Sequence, residues 1–258
     1  MSVISHSRKF IFLKTRKTAG SSIEIALAPL CDQGDTIVTS GDAEDYDLPR
    51  RVSQRLDTGQ RTAAQYVQYA WLYVRDILKS RRSPNLTKIA DRAYSSYARQ
   101  IKQHMRAAAM REAVGEELWG DYFTFCFERN PWDRLVSFYH WRTKSMQSPP
   151  PFKDFAVAAL SGTPQQQAQL RAKYFSNRPF YLIDGELAVD FVGRFENLEA
   201  DLATVCRRIG LPWDGTLPRA KSGIRPGGRD YRHYYDPQLR ELCEREFSLE
   251  RDLFGYQF

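Results

Sequence analysis

An unbroken apolar run, Phe10-Ile11-Phe12-Leu13, stands near the front of the chain, and a polar, small-residue stretch follows it: Lys14-Thr15-Arg16-Lys17-Thr18-Ala19-Gly20-Ser21-Ser22. A run of this length without alternation reads as a strand buried on both faces. The small residues make a tight turn, and 22–27 continues as a helix that Pro29 ends. The same sequence of strand, corner and helix recurs further on. Residues 122–128 form a second buried run, Pro131 opens a helix, and the helix extends over 132–144. Between them, 36–39 is a short strand and 41–59 an aperiodic loop. Over 61–79, apolar and aromatic residues cover most faces of a helix. Such a helix is either buried between neighbours or an exposed aromatic surface for an acceptor, a lipid or a partner. After Pro84, the set Leu86, Ile89, Ala90, Ala93, Tyr94, Tyr97, Ala98 and Ile101 keeps the spacing of an amphipathic helix.

Later elements are shorter. Met110, Val114 and Leu118 mark a helix closed by Gly120. Residues 152–160 and 165–175 are short helices. Asp184-Gly185 turns a hairpin with arms near 180–183 and 187–189. Residues 192–198 lead into a helix ending at Gly210, and 218–231 is a loop rich in Gly, Pro and basic residues. A last helix spans 237–247, after which Leu253, Phe254 and Tyr256 pack back on the core. There are no internal repeats. This order predicts a single α/β domain over 1–258, with a mainly parallel central sheet wrapped by helices, a helical insertion at 42–100, and ligands at the carboxyl ends of the strands.

At 258 residues with 42% hydrophobic content, the chain is long enough to bury one large core. The net charge of +7 suits a polyanionic donor or an acidic acceptor, and equally nucleic acid. Cys31, Cys126, Cys206 and Cys243 are widely spaced among apolar neighbours, which predicts buried free thiols rather than disulfides or a metal site. Residues 1–8 read as a polar lead, the apolar run behind them is too short for a signal segment, and no stretch reaches the ~20 residues of a membrane span. A cytoplasmic setting is the expectation.

The turn at 18–22 crowds backbone N–H groups at a helix N-terminus, where the helix dipole favours an anion. Lys17 reaches that point, and Thr18, Ser21 and Ser22 add hydroxyl donors. The loop departs from the Walker pattern, because Gly-Lys-Ser/Thr is absent. The second corner, Phe127-Glu128-Arg129-Asn130-Pro131-Trp132-Asp133-Arg134, places Arg129 at a strand end and Ser137 two turns along the next helix. Arg129 is either an anion ligand or an ion-pair partner of Glu128 or Asp133.

Together the two stretches resemble the donor-binding signature of sulfotransferases that use 3′-phosphoadenosine 5′-phosphosulfate (PAPS), nearest to the carbohydrate sulfotransferase branch, whose P-loop NTPase-like fold agrees with the order of elements. The resemblance covers 8–30 and about 104–258 and skips the insertion. It implies that Lys17 contacts the leaving phosphate, that Thr18, Ala19, Gly20, Ser21 and Ser22 hold the 5′-phosphosulfate, and that Arg129 and Ser137 grip the 3′-phosphate, with PAP as product; no acid-histidine or cysteine cluster has ligand spacing, so no metal is expected. It implies a small-molecule or glycan acceptor with a hydroxyl. Arg16 stands where the family carries proline. Relatives place a histidine at the point matching His104, which makes it the candidate general base; Glu24 is a reserve. Lys14 is either a second cation or a solvated side chain. Lys221 and Arg225, with Arg229, resemble the late basic loop that closes on the donor, or are solvated. Two other readings are an ATP-using P-loop kinase, disfavoured by the position of the lysine, and a non-catalytic nucleic-acid-binding module, disfavoured by dispersed Lys and Arg without a motif.

Overall fold

The computed structural model describes residues 2–32, 34–37, 101, 104–218 and 230–258. The expected helix over 61–79, that over 86–101 apart from Ile101, the insertion as a whole, and the loop with Lys221, Arg225 and Arg229 lie outside the described residues.

Two apolar runs form neighbouring parallel strands, β2 (Phe10–Leu13) and β4 (Phe123–Glu128), with Phe12 opposite Phe125. A third parallel strand, β7 (Phe191–Arg194), lies on the other side of β4; residues 192–194 were expected only to lead into a helix. On the opposite edge, β1 (Ser2–Ser5) pairs antiparallel with both β2 and β3 (Thr36–Ile37). The sheet order is therefore β3-β1-β2-β4-β7, and every strand but β1 points the same way. A separate hairpin, β5 (Leu182–Ile183) and β6 (Glu186–Leu187), turns at Asp184-Gly185 as the sequence predicts.

The polar lead is corrected: Ser2, Val3, Ile4 and Ser5 are all buried. At the Ser5 end the reason is Asp35, buried beside it, whereas the buried Ser2 hydroxyl has no hydrogen-bond partner among the described residues. The Asp35 carboxylate accepts hydrogen bonds from the Ser5 hydroxyl (2.8 Å) and from the N–H groups of His6 (2.6 Å), Ser7 (3.3 Å) and Asp32 (2.9 Å). A polar strand end is thus satisfied internally. Burial opposes ionisation of Asp35, but these donors outweigh it and hold the carboxyl below its ordinary value.

Helices cover both faces. Side chains alternate along β2: Phe10 and Phe12 pack with Ile23 and Leu27 of α1 (Gly20–Leu27) and with Leu202 and Val205 of α7 (Leu198–Arg208), while Ile11 and Leu13 face Met110 and Val114 of α2 (Ala107–Val114). The expected closure at Gly120 is instead a break at Gly115, whose φ of +85° ends α2 and starts α3 (Glu116–Asp121), with Gly120 inside the latter. A second core joins α4 (Pro131–Thr143), α5 (Phe152–Ser161) and α8 (Pro237–Glu246) through Trp132, Phe138, Phe155, Leu239 and Phe247. Between them, α6 (Pro164–Gln169) ends well before residue 175, and α9 (Ser248–Phe254) adds a helix to the tail, whose Tyr256 is buried as expected whereas Leu253 is exposed rather than packed on the core. All four cysteines are buried and free. Among the described residues no helix is long and apolar enough to cross a membrane.

Asp35 yields a stability prediction. Its lowered pKa means that its contribution is present above the unfolded-state value near ~4 and is lost as pH falls through the lower folded value. Asp35→Asn should lower stability by about 2 kcal/mol at neutral pH, or ~4–8 °C in Tm, with the deficit shrinking below pH ~4. Thermal melts of both proteins from pH 3 to 7 measure this; an unchanged melting temperature at pH 7 would refute it.

Candidate functional site

Because β2 and β4 are adjacent and parallel, their carboxyl ends open side by side, and both loops of interest leave from there. The first loop, 14–19, is wound unusually. Lys17 (φ +63°) and Ala19 (φ +59°, ψ +21°) are both left-handed although neither is glycine, a conformation that persists only where surroundings enforce it. Ala19 caps α1 without a side-chain bond, and the first turn contains no acid. The leading N–H groups of Gly20, Ser21 and Ser22, which have no acceptor within the helix, are the ones an anion would take.

The surroundings that enforce the loop are buried. Thr15 Oγ1 bonds to Thr18 Oγ1 (2.7 Å) and donates to the Phe127 carbonyl on β4. Asn177, fully buried, accepts the Arg16 N–H at its Oδ1 (2.9 Å) and donates from Nδ2 to the Arg16 carbonyl (3.1 Å). The same Nδ2 reaches Glu128 Oε1 at 3.1 Å, and Glu128 is ion-paired at 3.1 Å with the buried Arg134. Burial pushes the Glu128 carboxyl up, against the pull of Arg134 and the Arg129 N–H. Arg134 in turn donates to the Phe175 carbonyl at 2.6 Å.

Lys14 is neither a second ligand cation nor a solvated side chain. Its Nζ lies 2.7 Å from Glu24 Oε2 and 3.1 Å from the Ser21 hydroxyl, and both members of the ion pair are buried. Its stem crosses Gly20, where an added Cβ would stand 2.6 Å from Lys14 Cγ. Gly20 is therefore required by close approach, and Glu24, the reserve base, is committed to Lys14.

Arg129 meets this loop. Its Nη1 donates to the Lys17 carbonyl at 3.3 Å, its Nε donates to Asp133 Oδ2 at 2.9 Å, and its guanidinium stacks 4.0 Å above the Phe195 ring. Of its two expected acidic partners, Asp133 is the one it pairs with; Glu128 takes only the Arg129 backbone N–H. N–H donors of Nη1 and Nη2 remain for a phosphate. The helix behind it starts cleanly, with Pro131 at its first position and Asn130 Oδ1 accepting from the N–H groups of Trp132 and Asp133. Asp133, Ser137 and Trp141 fall four residues apart and share a face of α4, spanning about 12 Å. Half-buried Ser137 sits midway, and the Trp141 ring carries Lys17 Nζ 5.6 Å from its centre. The face thus runs from Arg129 to Lys17.

His104 joins the site from the other side. Its Nδ1 is 2.9 Å from the Lys14 carbonyl, so Nδ1 carries the proton and Nε2 presents its lone pair. Burial first, helped by the Lys14 and Arg16 cations, lowers its pKa to about 3 against that bond. The structure therefore brings together Lys17, Thr18, Ala19, Gly20, Ser21, Ser22, Arg129, Ser137 and His104. Asn177, Trp141 and Phe195 were not anticipated. Asn177 carries no local signal, being isolated between a short helix and a turn. Trp141, however, was readable from its spacing after Ser137.

A family model described as "Sulfotransferase family" matches residues 1–257. An uncharacterized protein of Archaeoglobus fulgidus is 34% identical over 113 residues, 42% of this chain and 84% of that protein. Carbohydrate sulfotransferase 14 of Danio rerio is 35% identical over 72 residues, 26% of this chain and 19% of the fish protein. The match thus spans less than a fifth of that relative's length. A solved sulfotransferase from Alicyclobacillus acidocaldarius superposes over 96% of both chains with a TM-score of 0.47 and 15% identity.

Asn177→Ala would leave the Arg16 peptide and one bond of Glu128 unmet in the interior. We expect a loss of about 2–3 kcal/mol, seen as a lower urea midpoint, together with proteolytic cleavage near residues 14–19. A midpoint shift under ~0.5 kcal/mol would show that Asn177 does not hold the loop.

Proposed function

The chain belongs to the sulfotransferase family, and on that premise we propose that it moves a sulfonate group from PAPS to a hydroxyl of a carbohydrate or related acceptor. The observation that supports this most is the 3.3 Å contact between the Arg129 guanidinium and the Lys17 carbonyl. It joins the two motif loops at one corner, as a single nucleotide with phosphates at both ends requires. Neither the kinase nor the nucleic-acid reading gains a supporting observation.

In this reading the 5′-phosphosulfate sits over the N–H groups of α1, with the hydroxyls of Ser21 and Ser22 beside it, and Lys17 neutralises the phosphate oxygen that departs; Thr18, whose buried hydroxyl is given to Thr15, offers only its backbone N–H. A lysine suits this role as a compact point charge with mobile donors. Arg129, squared by Asp133 and Phe195, and Ser137 take the 3′-phosphate through charge-assisted bonds. The acceptor oxygen attacks sulfur in line, the bond from sulfur to the phosphate oxygen breaks, and the acceptor proton passes to Nε2 of His104. As in phosphoryl transfer, alignment and neutralised charge do most of the work. The Lys14 carbonyl holds the His104 ring in the tautomer that accepts at Nε2. Lys221 and Arg225 would complete the donor site from the late basic loop. No metal is needed for any of these steps, and a cytoplasmic location remains part of the proposal.

Two experiments test this reading. PAP should raise the melting temperature of the wild-type protein, while Lys17→Ala and Arg129→Ala each weaken PAP binding by ~10-fold or more, the worth of one charge-assisted contact. Absence of any PAP-induced shift in the wild type would overturn the donor assignment. His104→Ala should keep PAP binding and lose at least ~100-fold in turnover. Because the ring of the free protein stays neutral down to pH about 3, kcat/KM for PAPS should lack a histidine limb near pH 6.5. A limb there that disappears in His104→Ala would contradict the buried, neutral ring, and unchanged turnover would remove His104 from the mechanism.

A further inference from the structure

Lys14, the first residue after β2, serves both halves of the candidate site with different atoms. Its carbonyl holds His104 Nδ1 at 2.9 Å. Its stem crosses Gly20 at close range and brings Nζ to the first turn of α1, 2.7 Å from Glu24 Oε2 and 3.1 Å from the Ser21 hydroxyl oxygen. Ser21 and Glu24 are three residues apart and so lie on one side of the helix, a turn from each other. Lys14 and Glu24 are buried, whereas Ser21 is half-buried. One ammonium thus bonds to an interior carboxylate and to a hydroxyl that solvent or a ligand can reach.

The hydroxyls of this loop are not equivalent. Thr15 donates to the Phe127 carbonyl, and the Thr18 proton goes to Thr15, so both are spent inside the protein. Ser21 differs from them. Its oxygen receives an N–H of Lys14, and its own proton has no acceptor among the described residues. The direction of the bond matters, because a lysine ammonium can only donate and an ionised carboxylate can only accept.

The consequence is clearest from what Glu24 would do without Lys14. A carboxylate on the same side of the helix would draw the Ser21 proton toward itself, leaving lone pairs of the hydroxyl turned to the seat of an anion. It would also stand as an uncompensated negative charge about one helical turn, ~5 Å, from the N–H groups that attract that anion. Lys14 prevents both. It cancels the carboxylate, and it occupies the Ser21 oxygen so that the proton is left for what arrives at the end of α1. A hydroxyl that accepts from a cation also donates more strongly, since bonds in such a chain polarise one another.

We propose that Lys14 is a positioning residue: by neutralising Glu24 and donating to Ser21, it makes the Ser21 hydroxyl a polarised proton donor to the 5′-phosphate of the donor nucleotide. This rests on the PAPS reading and adds to it a cation that acts through a serine without touching the ligand. Lys17 and Lys14 thereby divide the work, the first as a charge at the leaving oxygen, the second as the support of a neutral donor beside it.

The test follows binding to the full chain by titration calorimetry with two probes, PAP and adenosine 3′-phosphate, which lacks only the 5′-phosphate. Ser21→Ala should weaken PAP ~10-fold, the worth of one bond to a charged group, and leave adenosine 3′-phosphate within ~3-fold. Lys14→Met alone strands a buried carboxylate and endangers folding, so the pair is exchanged together as Lys14→Met with Glu24→Leu, a kind of replacement that stability tolerates. It leaves the net charge as it was. This double variant should lose at least ~5-fold for PAP with adenosine 3′-phosphate within ~3-fold, and adding Ser21→Ala to it should cost less than ~3-fold more. A change confined to the probe with the 5′-phosphate, and non-additive between residues 14 and 21, is not what a merely structural pair would give. Wild-type PAP affinity in Ser21→Ala or in the double variant, a full ~10-fold cost of Ser21→Ala in the double background, or equal loss for both probes would each overturn the proposal. The Ser21→Ala measurement stands whether or not the double variant folds. Absence of any PAP binding by the wild type would instead overturn the donor reading, so the two failures are distinguishable.

Discussion

The candidate site depends on one buried carboxylate. Glu128, at the end of β4, has no exposure to solvent and is held by Arg134, by Asn177 and by the N–H of the residue after it. Taking that charge out of water is costly, and a buried pair of this kind contributes little or nothing to net stability compared with apolar residues of similar size. What it does is geometric. Through Asn177 it grips the peptide of Arg16, and through the strand end it fixes where Arg129 leaves the sheet. Two loops far apart in sequence are thus referenced to one atom, Oε1 of Glu128. Removing either partner would leave a charge in the interior with too few contacts, so the network is present whole or not at all.

This frame explains how the loop tolerates its backbone. Left-handed Lys17 and Ala19 each carry a strain of order 1 kcal/mol or more, which the tethers at Thr15, Arg16 and the Lys14–Glu24 pair offset. The charge pattern follows the same division. Cations that support structure are neutralised by carboxylates in the interior, as with Lys14 and Arg134. Cations at the candidate site also lie on aromatic rings, Lys17 on Trp141 and Arg16 on Phe180 and Tyr174, while Arg129 combines the Phe195 ring with Asp133. Rings hold a guanidinium or ammonium in place without cancelling its field, which is what a site for several anionic groups needs.

Much of this was legible in the sequence where the signal was local. The runs 10–13 and 122–128, the corner at Gly20, and the Pro131 helix start are written in adjacent residues, and the structure keeps each within a residue or two. Where partners are distant, the sequence misled. Ser2–Ser5 reads as a polar lead because the residue that satisfies its Ser5 end, Asp35, is thirty positions away; Phe191–Arg194 looks like a helix approach because its strand character comes from lying beside β4. Lys14 beside Lys17 looks like a second ligand, and only the folded chain shows Glu24 reaching back to it. For Arg129 the sequence poses an ion pair and a place by the first loop as alternatives, whereas the folded chain has it paired with Asp133 and in contact with the Lys17 carbonyl at once. The amide of Asn177 had no pattern to betray it.

The thiols carry a practical consequence. Cys31, Cys126, Cys206 and Cys243 are all interior, and burial lifts Cys206 to about 11 and Cys243 to about 12, with Cys126 well above its usual value. Thiolate, not thiol, reacts with alkylating reagents, so the native chain is close to silent toward maleimides. A cysteine introduced at exposed Tyr174 would be the one handle that takes a dye, without stripping any natural residue from the interior.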